Sequence, residues 1–291
     1  MRSILAILFA CWATVAPAQV PAPTFAALAY GPSPAQVFDI RIPGGSTRAH
    51  HAVLMIHGGG FHSGSRHDVN PALVTALLAR GYAVVTVDYR LSGEALFPAA
   101  VEDIFAAMVL LRDRADDWKL TGKIFVYGES AGGHLAALTG TAFNDATFRK
   151  SLPGNKGSVR PDGVIALYPP VDFARLDPML RAQGCDAAAI NHGAASGAES
   201  RWLGAPLATL PDKVRQANPV THISGFMPAF LIQTGARDCV VGAGQGGILA
   251  DAIRAWNLRV THEVMPDAGH GGAAFESDAN IARIIAFLDD H

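Results

Sequence analysis

The stretch Lys123-Ile124-Phe125-Val126-Tyr127-Gly128-Glu129-Ser130-Ala131-Gly132-Gly133-His134-Leu135-Ala136-Ala137-Leu138 decides the reading of this chain. Its first five residues are mainly apolar, aromatic or β-branched and predict a buried strand. Its last five, His134 followed by four alanines and leucines, predict a helix. Between them, Gly128-Glu129-Ser130-Ala131-Gly132 has the Gly-x-Ser-x-Gly spacing of a nucleophile elbow, a sharp strand-to-helix turn that holds a serine hydroxyl out of the fold. Glycines flank the serine because strand and helix backbones come too close there for Cβ atoms. A serine hydroxyl attacks poorly on its own. If Ser130 is a nucleophile, the rest of the chain must supply a base, an acid to orient the base, and donors for an oxyanion.

Outward from this elbow, strand-like runs alternate with helix-like ones. Strands are expected at Val37–Ile42, His51–His57, Tyr82–Asp88, Lys123–Tyr127, Gly163–Tyr168, Pro228–Thr234 and Val260–Met265. Helices are expected at Pro71–Arg80, Pro98–Ala115, Ser130–Thr141, Gly244–Trp256 and Asp278–Asp289. Pro98 followed by Glu102 and Asp103 suits a helix start. Nearly continuous apolar strands such as Ala83-Val84-Val85-Thr86-Val87 suit parallel pairing with both faces covered. The alternation predicts an α/β fold, an open, doubly wound and mostly parallel sheet with helices on both faces. Residues 19–36, with Pro21, Pro23, Pro32 and Pro34, read as an extended lead-in. Residues 145–162 are polar and turn-rich. Residues 172–222 carry little strand signal and much Gly, Pro, Ala and Asp; they read as a small cap or lid insertion over the site, with a helix around Pro211–Ala217.

Composition narrows the function classes. The chain has 291 residues, half of them apolar and 16% charged, with a net charge of −2. Such a chain can bury a sizeable core, and its interspersed charge offers no footprint for nucleic acid. No repeats of 20–50 residues and no zinc-ligand spacing stand out, so neither a metal nor an organic cofactor is expected. Arg2, the apolar stretch Ile4 to Val15 and Ala16-Pro17-Ala18 have the form of a secretory signal peptide cleaved after Ala18. That apolar run is too short for a bilayer span, and nothing else is long enough to be transmembrane. The expected organisation is a signal peptide at 1–18, one catalytic domain at 19–291, and an exported, periplasmic or secreted product. Cleavage would remove Cys11 and leave Cys185 and Cys239, either paired in a disulfide or as two free thiols.

The partners for Ser130 are sought by position. His57-Gly58-Gly59-Gly60-Phe61 follows an expected strand, and its consecutive glycines can aim backbone N–H groups into a cavity. The N–H groups of Gly58 and Gly59, and of Gly60 as a further candidate, would join that of Ala131 at an oxyanion. His57 itself is read as a brace of this loop. In the strand–Ser–acid–His order, the base is His270, on the loop between the last strand and the last helix. The acid is Asp238, after the preceding strand, with Asp267 as its rival. His262 reads as a packing or surface residue and His134 as a stabiliser of the elbow. Gly242-Ala243-Gly244-Gln245-Gly246-Gly247 has only a faint dinucleotide-loop pattern, with no βαβ unit beginning there.

Taken together, His57–Phe61, Val87-Asp88-Tyr89-Arg90-Leu91, the Gly128–Gly133 elbow with His134, Gly235-Ala236-Arg237-Asp238 and Gly269-His270-Gly271 resemble the α/β-hydrolase carboxylesterases of the hormone-sensitive-lipase group. The stretch from Tyr89 to Asp103 is most similar to bacterial feruloyl and acetyl-xylan esterases. The resemblance covers roughly residues 37–290. It implies an α/β-hydrolase fold, Ser130, Asp238 and His270 as catalytic triad, and Gly58, Gly59 and Ala131 at the oxyanion hole. It also implies a serine esterase acting on short-chain or carbohydrate-linked acyl esters, with no cofactor. The residues between Ala18 and Val37 are too few for that group's N-terminal helical cap, and Cys239 stands where many relatives carry Pro or a small residue. A peptidase or amidase on the same scaffold and a non-catalytic binding module are the competing readings.

Overall fold

The computed structural model describes residues 19–45, 48–150, 152 and 158–291; the expected signal segment at 1–18 lies outside them. Among the described residues, eight strands form one sheet: β1 (Phe25–Ala29), β2 (Val37–Arg41), β3 (His50–Ile56), β4 (Ala83–Val87), β5 (Leu120–Glu129), β6 (Gly163–Leu167), β7 (Ala229–Gly235) and β8 (Val260–Met265). Their order across the sheet is β1-β2-β4-β3-β5-β6-β7-β8. The pairs from β4 through β8 are parallel, while β1 and β2 run antiparallel on one edge.

Helices α1 (Pro71–Arg80), α2 (Ala99–Asp113) and α3 (Ala131–Thr141) follow β3, β4 and β5. Alternation along the strands divides the apolar side chains between the two faces. In β3, Ala52, Leu54 and Ile56 join the core under α2 and α3, while Val53 and Met55 join the one under α1. The doubly wound α/β expectation therefore holds, and the sheet is buried on both sides as its apolar strands require.

Two expectations change. Residues 19–36 are more than a lead-in, because Phe25–Ala29 pairs with β2 across a register irregularity between Phe25 and Leu28. This edge strand is half exposed and mostly alanine, so it lacks the alternating apolar signal of a buried strand. The second helix begins at Ala99, with Pro98 just outside it. Its buried Asp103 takes the Arg90 guanidinium (2.6 Å), the Arg90 N–H (2.8 Å) and the Gln36 amide (2.7 Å). One carboxylate thus fastens the Tyr89-Arg90 motif and the N-terminal segment to this helix.

The segment 172–222 contains three short helices, α4 (Leu176–Gln183), α5 (Ala198–Leu203) and α6 (Pro211–Ala217), linked by single turns. Helix α7 (Gln245–Ala255) starts in the glycine-rich run 242–247; the short α8 (Ala273–Glu276) and α9 (Asp278–Asp289) close the described chain. No helix among the described residues is long and apolar enough to cross a membrane.

Candidate active site

Every expected site residue lies at the carboxyl end of the sheet. Ser130 caps the end of β5 with φ 54° and ψ −120°, a positive-φ conformation unusual for a residue with a side chain. Close packing enforces it. A Cβ on Gly132 would lie 2.1 Å from Ile56 O and 2.5 Å from His57 O, so only glycine lets α3 leave the elbow beside β3. The Ser130 N–H donates to Leu167 O (3.0 Å), which ties the elbow to β6.

His270 and Asp238 reach Ser130 from the loops after β8 and β7. These loops touch: a Cβ on Gly235 would fall 2.1 Å from Gly269 O, and Arg237 N–H donates to Ala268 O (2.9 Å). The Ser130 hydroxyl donates to His270 Nε2 (2.8 Å), and His270 Nδ1–H donates to Asp238 Oδ2 (2.8 Å). The other carboxylate oxygen accepts from the N–H groups of Val240 (2.8 Å) and Val241 (2.9 Å). Burial pushes the Asp238 carboxyl up, but His270 and these two N–H groups outweigh it and hold the group below its ordinary value. It is a buried, ionised acceptor aimed at the imidazole.

The rival acid does something else. Asp267 is exposed and pairs with Arg237 (2.6 Å) across the two loops. His57 donates from Nδ1 to Gly58 O (2.7 Å) and stacks on Tyr89 (4.4 Å), as expected of a brace. His134 is fully buried, donates to Pro170 O (2.6 Å) and stacks on Phe173 (4.7 Å). It therefore joins α3 to the loop after β6 as well as backing the elbow. His262 bonds Thr234 within the sheet (3.0 Å).

Gly58, Gly59, Gly60 and Ala131 line one cavity of about 400 Å³ with Ser130 and His270. Gly59 and Gly60 take positive φ (106° and 58°). The N–H groups of Gly58, Gly59, Gly60 and Ala131 donate to no described residue.

Sequence reasoning missed four further residues of this site. Glu129, beside the serine, accepts the hydroxyls of Tyr127 and Tyr168. The Tyr168 ring then lies edge-on to His270, with centroids 4.7 Å apart. His192 and Glu199 of the insertion also line the cavity. A tyrosine ending an apolar strand and a His/Glu pair in a loop-rich segment carry no periodic or spacing signal, because only the fold brings them together.

The insertion is anchored to the acid loop. A disulfide joins Cys185, just after α4, to Cys239, next to Asp238 (Cα–Cα 5.5 Å). The Gln183 amide donates to Asp238 O (2.9 Å). On the other side Trp202 of α5 stacks on Phe61 (4.2 Å), the residue after the glycine loop.

Fold and site define the class: an α/β-hydrolase in which a serine, a histidine and an aspartate are linked as in acyl-transfer enzymes. Within that class the chain belongs to the BD-FAE family, whose model matches residues 38–253. It is 30% identical over 248 residues to esterase LipC of Mycobacterium tuberculosis, covering 83% of this chain and 58% of that protein. Against mouse hormone-sensitive lipase it is 33% identical over 129 residues, 44% of this chain and 16% of that one. The chain thus spans little more than half of LipC and a smaller part of the lipase. Among solved structures, a truncated carbohydrate esterase from gut microbiota superposes with a TM-score of 0.83 at 23% identity, over 94% of this chain and 98% of that one. The expected resemblance to the hormone-sensitive-lipase group and the expected fold both hold.

Proposed function

We propose that this protein is a carboxylic ester hydrolase working through an acyl-enzyme on Ser130. The observation that carries the reading is the continuous chain Ser130 Oγ–His270–Asp238, both links 2.8 Å, with Ser130 and His270 lining one cavity. Ser130 attacks the ester carbonyl as His270 Nε2 takes its proton. Asp238 holds the imidazole by Nδ1–H and stabilises the imidazolium that forms. The N–H groups of Gly58, Gly59 and Ala131 receive the oxyanion; loss of one such donor typically costs about 3 kcal/mol of transition-state stabilisation. His270 returns its proton to the leaving alcohol, then deprotonates the water that releases the acid.

The cavity walls of Phe61, Pro170, Ala198, Val240 and Val241 suit a small acyl group, free or carried on a carbohydrate. The Cys185–Cys239 disulfide suits an oxidising compartment and so supports export, periplasmic or secreted. Replacement of the nucleophile tests the mechanism: Ser130→Ala is expected to abolish turnover of p-nitrophenyl acetate with an unchanged circular dichroism spectrum. Retained turnover by that variant overturns the assignment.

A further inference from the structure

The wall of the cavity opposite the sheet holds a buried carboxylate with one oxygen unused. Glu199, at the start of α5, is 3% exposed. Its Oε2 takes a hydrogen bond from His192 Nδ1 (2.6 Å). Its Oε1 bonds to no described residue, yet it is not among the fully enclosed polar atoms that lack a partner. Because Glu199 lines the cavity shared by Ser130 and His270, that oxygen has the cavity to face. Once a ligand excludes solvent from the cavity, a carboxylate oxygen left without a donor is costly, and a ligand that brings its own donor avoids that cost.

The surroundings say which donor fits. His192 is fixed at both nitrogens, since Nε2 donates to Val240 O (2.8 Å) while Nδ1 serves Glu199. Both nitrogens must then carry protons. Burial works against that charge, but the hydrogen bond and charge of Glu199 outweigh it and keep the imidazole more basic than usual. The turn beneath is fixed as well: Asp177 accepts the N–H groups of His192 (3.0 Å) and Gly193 (3.1 Å), and Ser200 donates to His192 O (2.8 Å). Glu199 and His192 together are neutral, so a cationic substrate gains little there, and an anionic one meets the free oxygen unfavourably. A neutral hydroxyl is the complementary group. Its distance from the reacting carbonyl must be short, because Ala198 abuts the glycine loop: a Cβ on Gly60 would lie 3.2 Å from that of Ala198.

The geometry points to Glu199 as a specificity residue that accepts a hydrogen bond from a substrate hydroxyl next to the scissile ester. This assignment rests on the esterase reading above. The hydroxyl can belong to the alcohol, as in a partly acylated polyol or sugar, or to the acyl group, as in a 2-hydroxy acid.

Two isosteric pairs separate these sources: 2-hydroxyethyl acetate against propyl acetate, and ethyl glycolate against ethyl propionate. For the purified protein, kcat/KM is measured on all four and normalised to each ester's alkaline hydrolysis rate. The hydroxyl-bearing member of at least one pair is expected to be favoured about tenfold or more, because a site built for a hydroxyl leaves its own polar group unpaired with the analogue. The pair that shows it names the side. In Glu199→Gln, where a neutral amide replaces the charged acceptor, that ratio is expected to fall about fivefold or more. A wild-type ratio near one in both pairs overturns the assignment and needs no variant to fold. So does a ratio that Glu199→Gln leaves at its wild-type value, since a purely structural role lowers both members of a pair alike. Failure to hydrolyse any of the four esters or p-nitrophenyl acetate overturns the esterase reading itself, and this assignment with it.

Discussion

Two regions meet at Ser130 and are built on different principles. The cradle consists of the ends of β3, β5, β7 and β8 with their loops. There, backbones approach so closely that a single Cβ on Gly132 or Gly235 would sit 2.1 Å from a carbonyl oxygen. The opposite wall, residues 172–222, is a set of short helices and turns with no strand among them. Its links to the cradle run through side chains, among them a disulfide, the Gln183 amide, His192 and the stacked Trp202. Reacting atoms must be held to a fraction of an ångström, and the sheet does that. The shape that meets a substrate can vary, and it sits on short helices and turns outside the sheet.

The largest expected contrast is between glycines. Gly132→Ala should cost more than about 4 kcal/mol or prevent folding, because the clash is with backbone that cannot move away. Gly184→Ala, in the insertion at φ 79° with nothing within 4 Å, should cost only about 1 kcal/mol. Urea midpoints of the two variants check this, and equal losses would break the contrast.

Next is the tether. The bridged cysteines are 54 residues apart, and on loop entropy the double variant Cys185→Ala/Cys239→Ala should lose about 4 kcal/mol. Because Cys239 adjoins Asp238, kcat for p-nitrophenyl acetate should fall as well. Loss of stability with kcat intact would show that the acid loop keeps its shape without the insertion.

The smallest effect is in the pH dependence, where the two regions have opposite signs. Burial lowers His134, behind the elbow, from 6.5 to about 4. The unfolded chain therefore takes up a proton below pH 6.5 that the folded chain refuses. The stability is present above 6.5 and falls by about 3 kcal/mol as pH drops towards 4. His192 in the insertion is raised, with Glu199 and Asp177 facing it. Its contribution is complete below the ordinary histidine value and is lost as pH rises through the raised one. Urea melts across pH 4–9 should show His134→Gln flattening the acid side and His192→Gln the alkaline side; the reverse pattern would contradict the structure.

Much of the cradle was legible beforehand because each of its parts leaves a local mark. The elbow is a five-residue pattern, the glycine loop is consecutive, and Asp238 and His270 follow recognisable strands in a fixed order. Helices α1, α6 and α9 begin and end where their sequences say they should. β1 was not legible, since an exposed alanine-rich edge strand is stabilised by pairing with β2 and shows no burial pattern. The Cys185–Cys239 bond stayed open because two cysteines can pair only if the fold brings them close, which sequence cannot test.

The sequence by itself determined the sheet, the elbow and the identity of the serine, histidine and aspartate that meet there. These depend on short-range constraints: glycine where backbones touch, apolar runs where strands are covered, and loops at strand ends. Only the tertiary structure decided what surrounds them. Tyr168 reaches His270 by way of Glu129, Cys185 reaches Cys239, and Glu199 reaches the cavity on the shoulder of His192. Each of these meetings joins segments far apart in the chain, or a pair that only a folded loop can aim, and long-range packing leaves no periodic trace in the order of residues.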